Sequence, residues 1–190
     1  MDIYIGVNGI ARRVKKIYIG VNGVARKVIK GYIGVNGVAR LFYSNLYTYS
    51  TNIQSNYADM VTFTNYFVGI NSNGEIEISA TAVGTSSSNI NGRAIYFRIN
   101  GDLAGKSLSF DYISSGYSSS YSSINHDEID NDGNWTKIYD FSNGSGSKTR
   151  TISNTASSIS FGMWFGGKTS SRTAKLIISN LKIDDKVITF

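Results

Sequence analysis

The sequence predicts an all-β protein, with N-terminal tandem β-hairpins followed by an antiparallel β-sandwich. Three observations predict it. A motif of about a dozen residues centred on Asn-Gly is written three times within residues 3–43. Beyond it, short runs rich in β-branched and aromatic residues recur between Gly-, Asn- and Ser-rich turns. No segment sustains an apolar helical period.

The repeat comes first. Its copies are "IYIGVNGIARRV" (3–14), "IYIGVNGVARKV" (17–28) and "YIGVNGVARLF" (32–42), with Tyr4, Tyr18 and Tyr32 spaced 14 residues apart. Asn and Gly both tolerate positive φ, so Asn-Gly between β-branched residues is the signature of a two-residue hairpin turn. With Asn22-Gly23 as the turn, the cross-strand pairs are Val21–Val24, Gly20–Ala25, Ile19–Arg26, Tyr18–Lys27 and Ile17–Val28. Alternation then groups Ile17, Ile19, Val21, Val24, Val28 and Arg26 on one face. Arg12 and Arg40 take the same place in their own hairpins. An arginine on an apolar face needs an acid or a set of carbonyls. Either the three brace the strands, or they dock on an acidic partner surface with Arg13 and Lys27 beside them. A lone hairpin is marginal in water. Three in tandem, as a meander or a small three-fold prism, still point to a partner or to a homo-oligomeric assembly.

The charge follows the repeat. Residues 1–43 hold eight basic side chains against Asp2 alone, a net of +7, while the rest holds 11 basic and 12 acidic, a net of −1. The total of +6 is therefore local to the hairpins. The basic residues alternate with apolar ones and no recognition helix accompanies them, which argues against nucleic acid as a partner. No apolar run approaches the roughly 18–20 residues of a membrane span. The N-terminus lacks a basic stretch followed by an apolar one, so cytoplasmic synthesis without a signal peptide is expected. With no cysteine, disulfides and thiolate chemistry are excluded.

Residues 44–60 read as a connector. The second domain, 61–190, offers strands at 61–70, 75–83, 93–99, 107–114, 135–141, 148–153, 158–166, 173–183 and 186–190. In "SFGMWFGG", alternation puts Phe161, Met163 and Phe165 in the core and Trp164, between two glycines, on the outer surface. In "RAIYFRI" it puts Ile95, Phe97 and Ile99 inside and Tyr96 and Arg98 outside. An outward indole between glycines is a platform on which a sugar ring can stack, so Trp164, Tyr96 and Arg98 are candidate glycan contacts. Tyr117 and Tyr121, in the polar loop "SSGYSSSYSS", join them. Trp135 is expected to pack in the core or at a strand edge.

The acidic cluster "HDEIDNDG" (126–133) sets Glu128, Asp130 and Asp132 at the spacing that opens a calcium loop. The closing acidic position falls on Tyr139, so the EF-hand pattern fails. A structural Ca²⁺ on these three residues stands against a simple exposed Asp-Gly turn, and no other cofactor is expected. His126, the only histidine, lacks companions for a triad or a zinc site. No nucleophile motif or carboxylate pair stands out, so the chain is not expected to be an enzyme.

The repeats resemble the tandem "YIGVNGVARK" hairpins of structural proteins in phages and prophages of Gram-positive hosts. That resemblance implies a virion component. The stretches "SLSFDY" (107–112), "WTKIYDF" (135–141), "ISFGMWFG" (159–166) and "AKLIISNLKI" (174–183) resemble, in order, the strands of jelly-roll carbohydrate-binding modules. That resemblance implies a jelly-roll-like sandwich. The resulting expectation is a virion accessory protein, a capsid decoration or head fibre on the particle surface. Its hairpins would dock on other virion proteins and its sandwich would face host-surface or mucosal glycans. A tail or baseplate receptor-binding protein, or a cell-wall polysaccharide-binding module, is the alternative.

Overall fold

The computed structural model describes residues 4–7, 10–13, 18–21, 24–27, 30–35, 38–44, 47–55, 61–85, 92–118, 122–167, 169–188 and 190. For residues below 47, and for Gln54 and Ser55, only the backbone is described. The chain divides into two compact units, Met1–Leu46 and Tyr47–Phe190.

In the first unit, β1 (Tyr4–Val7) pairs with β2 (Ile10–Arg13), β3 (Tyr18–Val21) with β4 (Val24–Lys27), and β5 (Lys30–Val35) with β6 (Val38–Ser44). The register is the one turn chemistry requires. Gly6 faces Ala11, Gly20 faces Ala25 and Gly34 faces Ala39, while Ile5, Ile19 and Ile33 stand opposite Arg12, Arg26 and Arg40. The Asn-Gly dipeptides themselves, with Ile17 and Val28, lie outside the described residues. Among the described residues the hairpins form three separate two-stranded sheets rather than one meander. Continuing the sheet would need a tight reversal after each hairpin, and "VKKI" (14–17) and "VI" (28–29) carry no turn residue.

The second unit is an antiparallel sandwich, and each expected strand forms. The strands are β8 (Val61–Ile70), β9 (Ile76–Gly84), β10 (Gly92–Gly101), β11 (Ser107–Ser115), β13 (Trp135–Asp140), β14 (Gly144–Thr151), β15 (Ala156–Gly166), β16 (Arg172–Ile183) and β17 (Lys186–Val187). Two strands were not expected. Tyr47–Ser55, read as part of the connector, is β7 and pairs with β10 along its length. Ser122–Asp130, read as a loop and acidic turn, is β12. One sheet runs β13-β12-β15-β10-β7, and the other β14-β11-β16-β9-β8 with β17 added to β16. From β9 to β12, and again from β13 to β16, successive strands alternate between the sheets. The two layers are thereby stitched together in the jelly-roll manner.

The core is the inward half of each alternating pattern. On β9, Ile76, Ile78, Ala80 and Ala82 are buried. Facing them across the sandwich, Ile95, Phe97 and Ile99 on β10 and Ile159, Phe161, Met163 and Phe165 on β15 are sealed from solvent. Phe110 and Phe161 form the hub of an aromatic cluster: their rings meet edge-on at 5.0 Å, Phe161 stacks on His126 at 4.9 Å, and Phe110 also meets His126 and Phe141 edge-on. Edge-to-face pairs of this kind add to the burial of area itself.

His126 is part of this core. Its ring is fully buried and Nδ1–H donates to the Ser160 carbonyl at 2.9 Å. Nε2 is buried without a partner, so a second proton there would have no acceptor. Burial drives its pKa down to about 4. Substituting Phe161→Ala removes one of the two hub rings and is expected to cost about 3–5 kcal/mol, read by chemical denaturation of the full chain.

Candidate functional site

The five-stranded sheet has a second face, and the alternation that buries its core decides what lies there. Across its middle runs a row in register: Asn52 on β7, Tyr96 on β10, Gly162 on β15 and Asn125 on β12. One step towards one end the row is Ala94, Trp164 and Ser123, and one step towards the other it is Arg98, Ser160 and Asp127. A pocket of about 240 Å³ opens on this face. Small-molecule pockets typically run from about 300 Å³ upwards, so this one suits a small ring rather than a large ligand.

Two glycines make the pocket. A Cβ on Gly92 would fall 2.2 Å from the Trp164 indole, so the ring lies directly on the Gly92 backbone. A Cβ on Gly162 would lie 3.0 Å from Tyr96 Cβ, and its absence leaves the floor open. Tyr96 forms one wall. It is buried to all but 8% of its surface, its hydroxyl accepts from Asn52 Nδ2 at 3.0 Å, and Trp135 meets its ring edge-on at 5.1 Å. Trp135, on the edge strand β13, is 43% exposed and lines the pocket from that edge beside Tyr96 rather than packing in the core. Arg98 Cζ lies 5.9 Å from the Trp135 ring, and its Nε donates to Ser158 Oγ at 2.8 Å.

The polar side of the pocket is Asn125 and Asp127, two apart on β12. Asn125 Nδ2 donates to Asp127 Oδ2. Asp127 is only 6% exposed, and burial lifts its carboxyl to about 6, against the opposing pull of Asn125 and then Lys137. Lys137 itself is ion-paired with Asp140 at 2.8 Å.

Of the sequence-predicted contacts, Trp164 and Tyr96 line this pocket and Arg98 stands beside Trp135 at its rim. Tyr117 is placed elsewhere: its backbone N–H donates to Asn143 Oδ1 at 2.7 Å, and it does not line the pocket. Tyr121 lies outside the described residues, as do the side chains of Arg12, Arg13, Arg26, Lys27 and Arg40.

The acidic trio is not brought together. Glu128 turns inward to an ion pair with Arg150 at 2.9 Å and accepts from the Ser153 N–H at 3.2 Å. Asp130 caps the following turn, accepting from the Asn134 side-chain amide and from the N–H groups of Asn134 and Asp132, all at 2.9 Å, and these donors, the Asn134 amide foremost, hold its carboxyl below the usual range. Among the described residues no group of three possible metal-ligating side chains forms.

Sequence reasoning passed over Asn52, Asn125 and Asp127 because it placed their strands wrongly, and it gave Trp135 the strand-edge packing role that it fills against Tyr96. The signal for β12 was the alternation of Ser123, Asn125 and Asp127 with Ile124 and His126, masked by the acidic residues around it.

No protein-family model and no curated protein matches the chain. Solved structures to which it is similar include the enzymatically active domain of tailspike protein 4 of bacteriophage CBA120. That likeness has a TM-score of 0.42 and 11% identity, covering 74% of this chain and 19% of that one. They also include a family 4 carbohydrate-binding module (TM-score 0.41, 12% identity, 70% of this chain and 84% of that one). A family 29 carbohydrate-binding module follows (TM-score 0.38, 12% identity, 73% and 92%). The chain thus spans about a fifth of the tailspike domain's length and most of the length of the two modules.

Two buried titrating groups on neighbouring β12 positions act on stability in opposite directions. His126 has a folded pKa below its unfolded value near 6.5, so its contribution is present above that pH and is lost as pH falls towards 4. Asp127 has a folded pKa above its unfolded value, so its contribution is present at low pH and is lost as pH rises through 6. Each is worth about 3 kcal/mol, and between pH 4 and 6.5 they offset one another. Asp127→Asn is therefore expected to raise stability at pH 7. It should also expose the His126 term as a loss of about 3 kcal/mol between pH 6.5 and pH 4, read by denaturation at each pH.

Proposed function

We propose that the protein is a structural component of a phage particle whose β-sandwich binds a glycan in the pocket on its five-stranded sheet. One observation carries the binding reading. Trp164 laid on Gly92, Tyr96 and Trp135 present aromatic surface around a small opening, and Asn125 and Asp127 meet it from one side. A sugar ring has this same dual character, with apolar C–H faces for aromatic rings and a hydroxyl rim for amides and carboxylates. Few convergent polar groups in a mostly apolar cleft is the ordinary make-up of a ligand site.

The site is read as a binding site rather than a hydrolytic one. Glycoside hydrolysis in most families uses two carboxyl groups flanking the scissile bond. Among the described lining residues Asp127 is the one carboxylate.

The hairpin unit is assigned to anchoring. The concentration of basic charge in residues 1–43, the register that sets Arg12, Arg26 and Arg40 opposite isoleucines, and the resemblance of the repeat to phage structural proteins support this assignment. The sandwich, nearly neutral by contrast, is the part left to face the host.

On a glycan array of bacterial wall polymers and mucin-type glycans, the full chain is expected to bind a defined subset. Trp164→Ala should weaken that binding by at least about tenfold, a loss of about 1.4 kcal/mol. An array with no glycan bound, or binding indifferent to Trp164→Ala, would sink the reading. Separately, changing Arg12, Arg26 and Arg40 together to Ala is expected to abolish co-sedimentation with particles while leaving glycan binding intact. Retained co-sedimentation would show that the hairpins do not anchor through these arginines.

A further inference from the structure

We infer that the pocket admits sugars that are uncharged or carry an amine, turns away acidic sugars, and owes this choice to Asp127. The inference rests on the glycan-binding reading and adds the class of sugar to it.

The charge inventory of the site is short. Among the described lining residues there is one carboxylate, Asp127, and no arginine, lysine or histidine. Two cations stand nearby, outside the lining. Lys137, register-opposite Asp127 on β13, is bound by Asp140, and Arg98, in the same row on β10, donates to Ser158 and leans on Trp135. Ser160 on β15 stands between them in register and is uncharged. The groups facing Asp127 are thus Asn125 on its own strand, Lys137 and Asp140 on β13, Ser160 on β15 and, one strand further, Arg98 on β10.

Asn125 satisfies one Asp127 oxygen, and the other has no hydrogen-bond partner among the described residues. A carboxylate accepts and cannot donate while ionised. Its free oxygen therefore calls for a donor from the ligand: a sugar hydroxyl, or better a protonated amine. A uronate or other acidic sugar would bring a second negative charge beside a desolvated first one, with no cation among the described lining residues to separate them.

A pH signature follows. Burial holds the Asp127 carboxyl up to about 6, so its ionised form is scarce below that pH. A hydroxyl donated to the free oxygen favours the ionised form, so binding a neutral sugar releases a proton near pH 6. The affinity is full above about pH 7 and falls by about tenfold at pH 5 if only the ionised form binds. An acidic sugar would show the opposite slope, since protonating Asp127 removes the repulsion.

The test is titration calorimetry on the full chain at pH 5, 6, 7 and 8. The probes are cellobiose, chitobiose, lactose and mannobiose as neutral sugars, the glucosamine disaccharide as the amine, and digalacturonate as the acid. At pH 7 at least one neutral or amine probe is expected to bind, with digalacturonate at least about a hundredfold weaker. The neutral affinity should drop by about tenfold from pH 7 to pH 5. Asp127→Asn should flatten that profile and narrow the gap to digalacturonate. A carboxyl ¹³C titration of Asp127 should show its midpoint moving down when the neutral sugar is bound. Digalacturonate binding as tightly as the best neutral probe, a flat wild-type profile, or an Asp127→Asn profile that keeps its slope would each overturn the inference. In those cases a loss of binding in Trp164→Ala would leave the glycan-binding reading standing. Binding to none of the probes at any pH would overturn the inference, and the glycan array alone then decides the glycan-binding reading.

Discussion

The constraint on which the rest of the sandwich depends is the two-residue period of its strands. Once Ile95 and Phe97 on β10 and Phe161, Met163 and Phe165 on β15 are committed to the core, Tyr96, Gly162 and Trp164 have only the other face to occupy. The two strands pair with Tyr96 opposite Gly162, so the large ring stands beside a gap rather than beside another ring. Core and site are therefore two readings of the same eleven-residue strand β15 and its neighbour. A slip of register by one residue would exchange them. The aromatic packing of Phe161 against Phe110 and His126 fixes the pocket as firmly as it fixes the interior.

That coupling explains why the site can hold a costly group. A carboxylate as buried as Asp127, with an amide rather than a cation as its hydrogen-bonded partner, lowers stability at neutral pH. A sandwich tied together by crossings between its sheets can carry such a group, and functional sites are where such costs collect. Glu128, next along the chain, makes the contrast: it also leaves solvent, but it turns to the interior side and meets Arg150 from the opposite sheet. Adjacent acidic residues on one strand thus face different surroundings, one bracing the layers and one lining the pocket.

Most of the architecture was legible before the structure. The hairpin registers follow from Asn-Gly turn chemistry, and the strands with regular alternation, β9, β10 and β15, were found close to their bounds. The failures have physical reasons. β7, "YTYSTNIQS", is an edge strand whose Tyr49, Ser50, Thr51 and Asn52 are all exposed, so its middle shows no clean apolar alternation and reads as linker. β12 buries His126, Asp127 and Glu128 alongside Ile124 and Ile129, and three ionisable residues in succession do not announce a buried strand. Asp127 was missed with its strand, since only pairing with β15 brings it beside the pocket. Trp135 was expected in the core or at a strand edge, and it packs on Tyr96 from the edge strand β13; that it also lines the pocket follows only from the pairing of β13 with β12.

The two indoles of the pocket sit on strands of unequal standing. Trp164 belongs to β15, the middle strand of five, hydrogen-bonded on both sides and backed by the core. Trp135 belongs to β13, which is joined to the sheet along one side only and departs from regular register beside Asp127. A central strand tolerates little change, because its neighbours on both sides and the interior beneath it must change with it. An outermost strand can lengthen, shorten or exchange residues at small cost. Substitutions are therefore better tolerated on the β13 wall of this pocket than on its β15 wall.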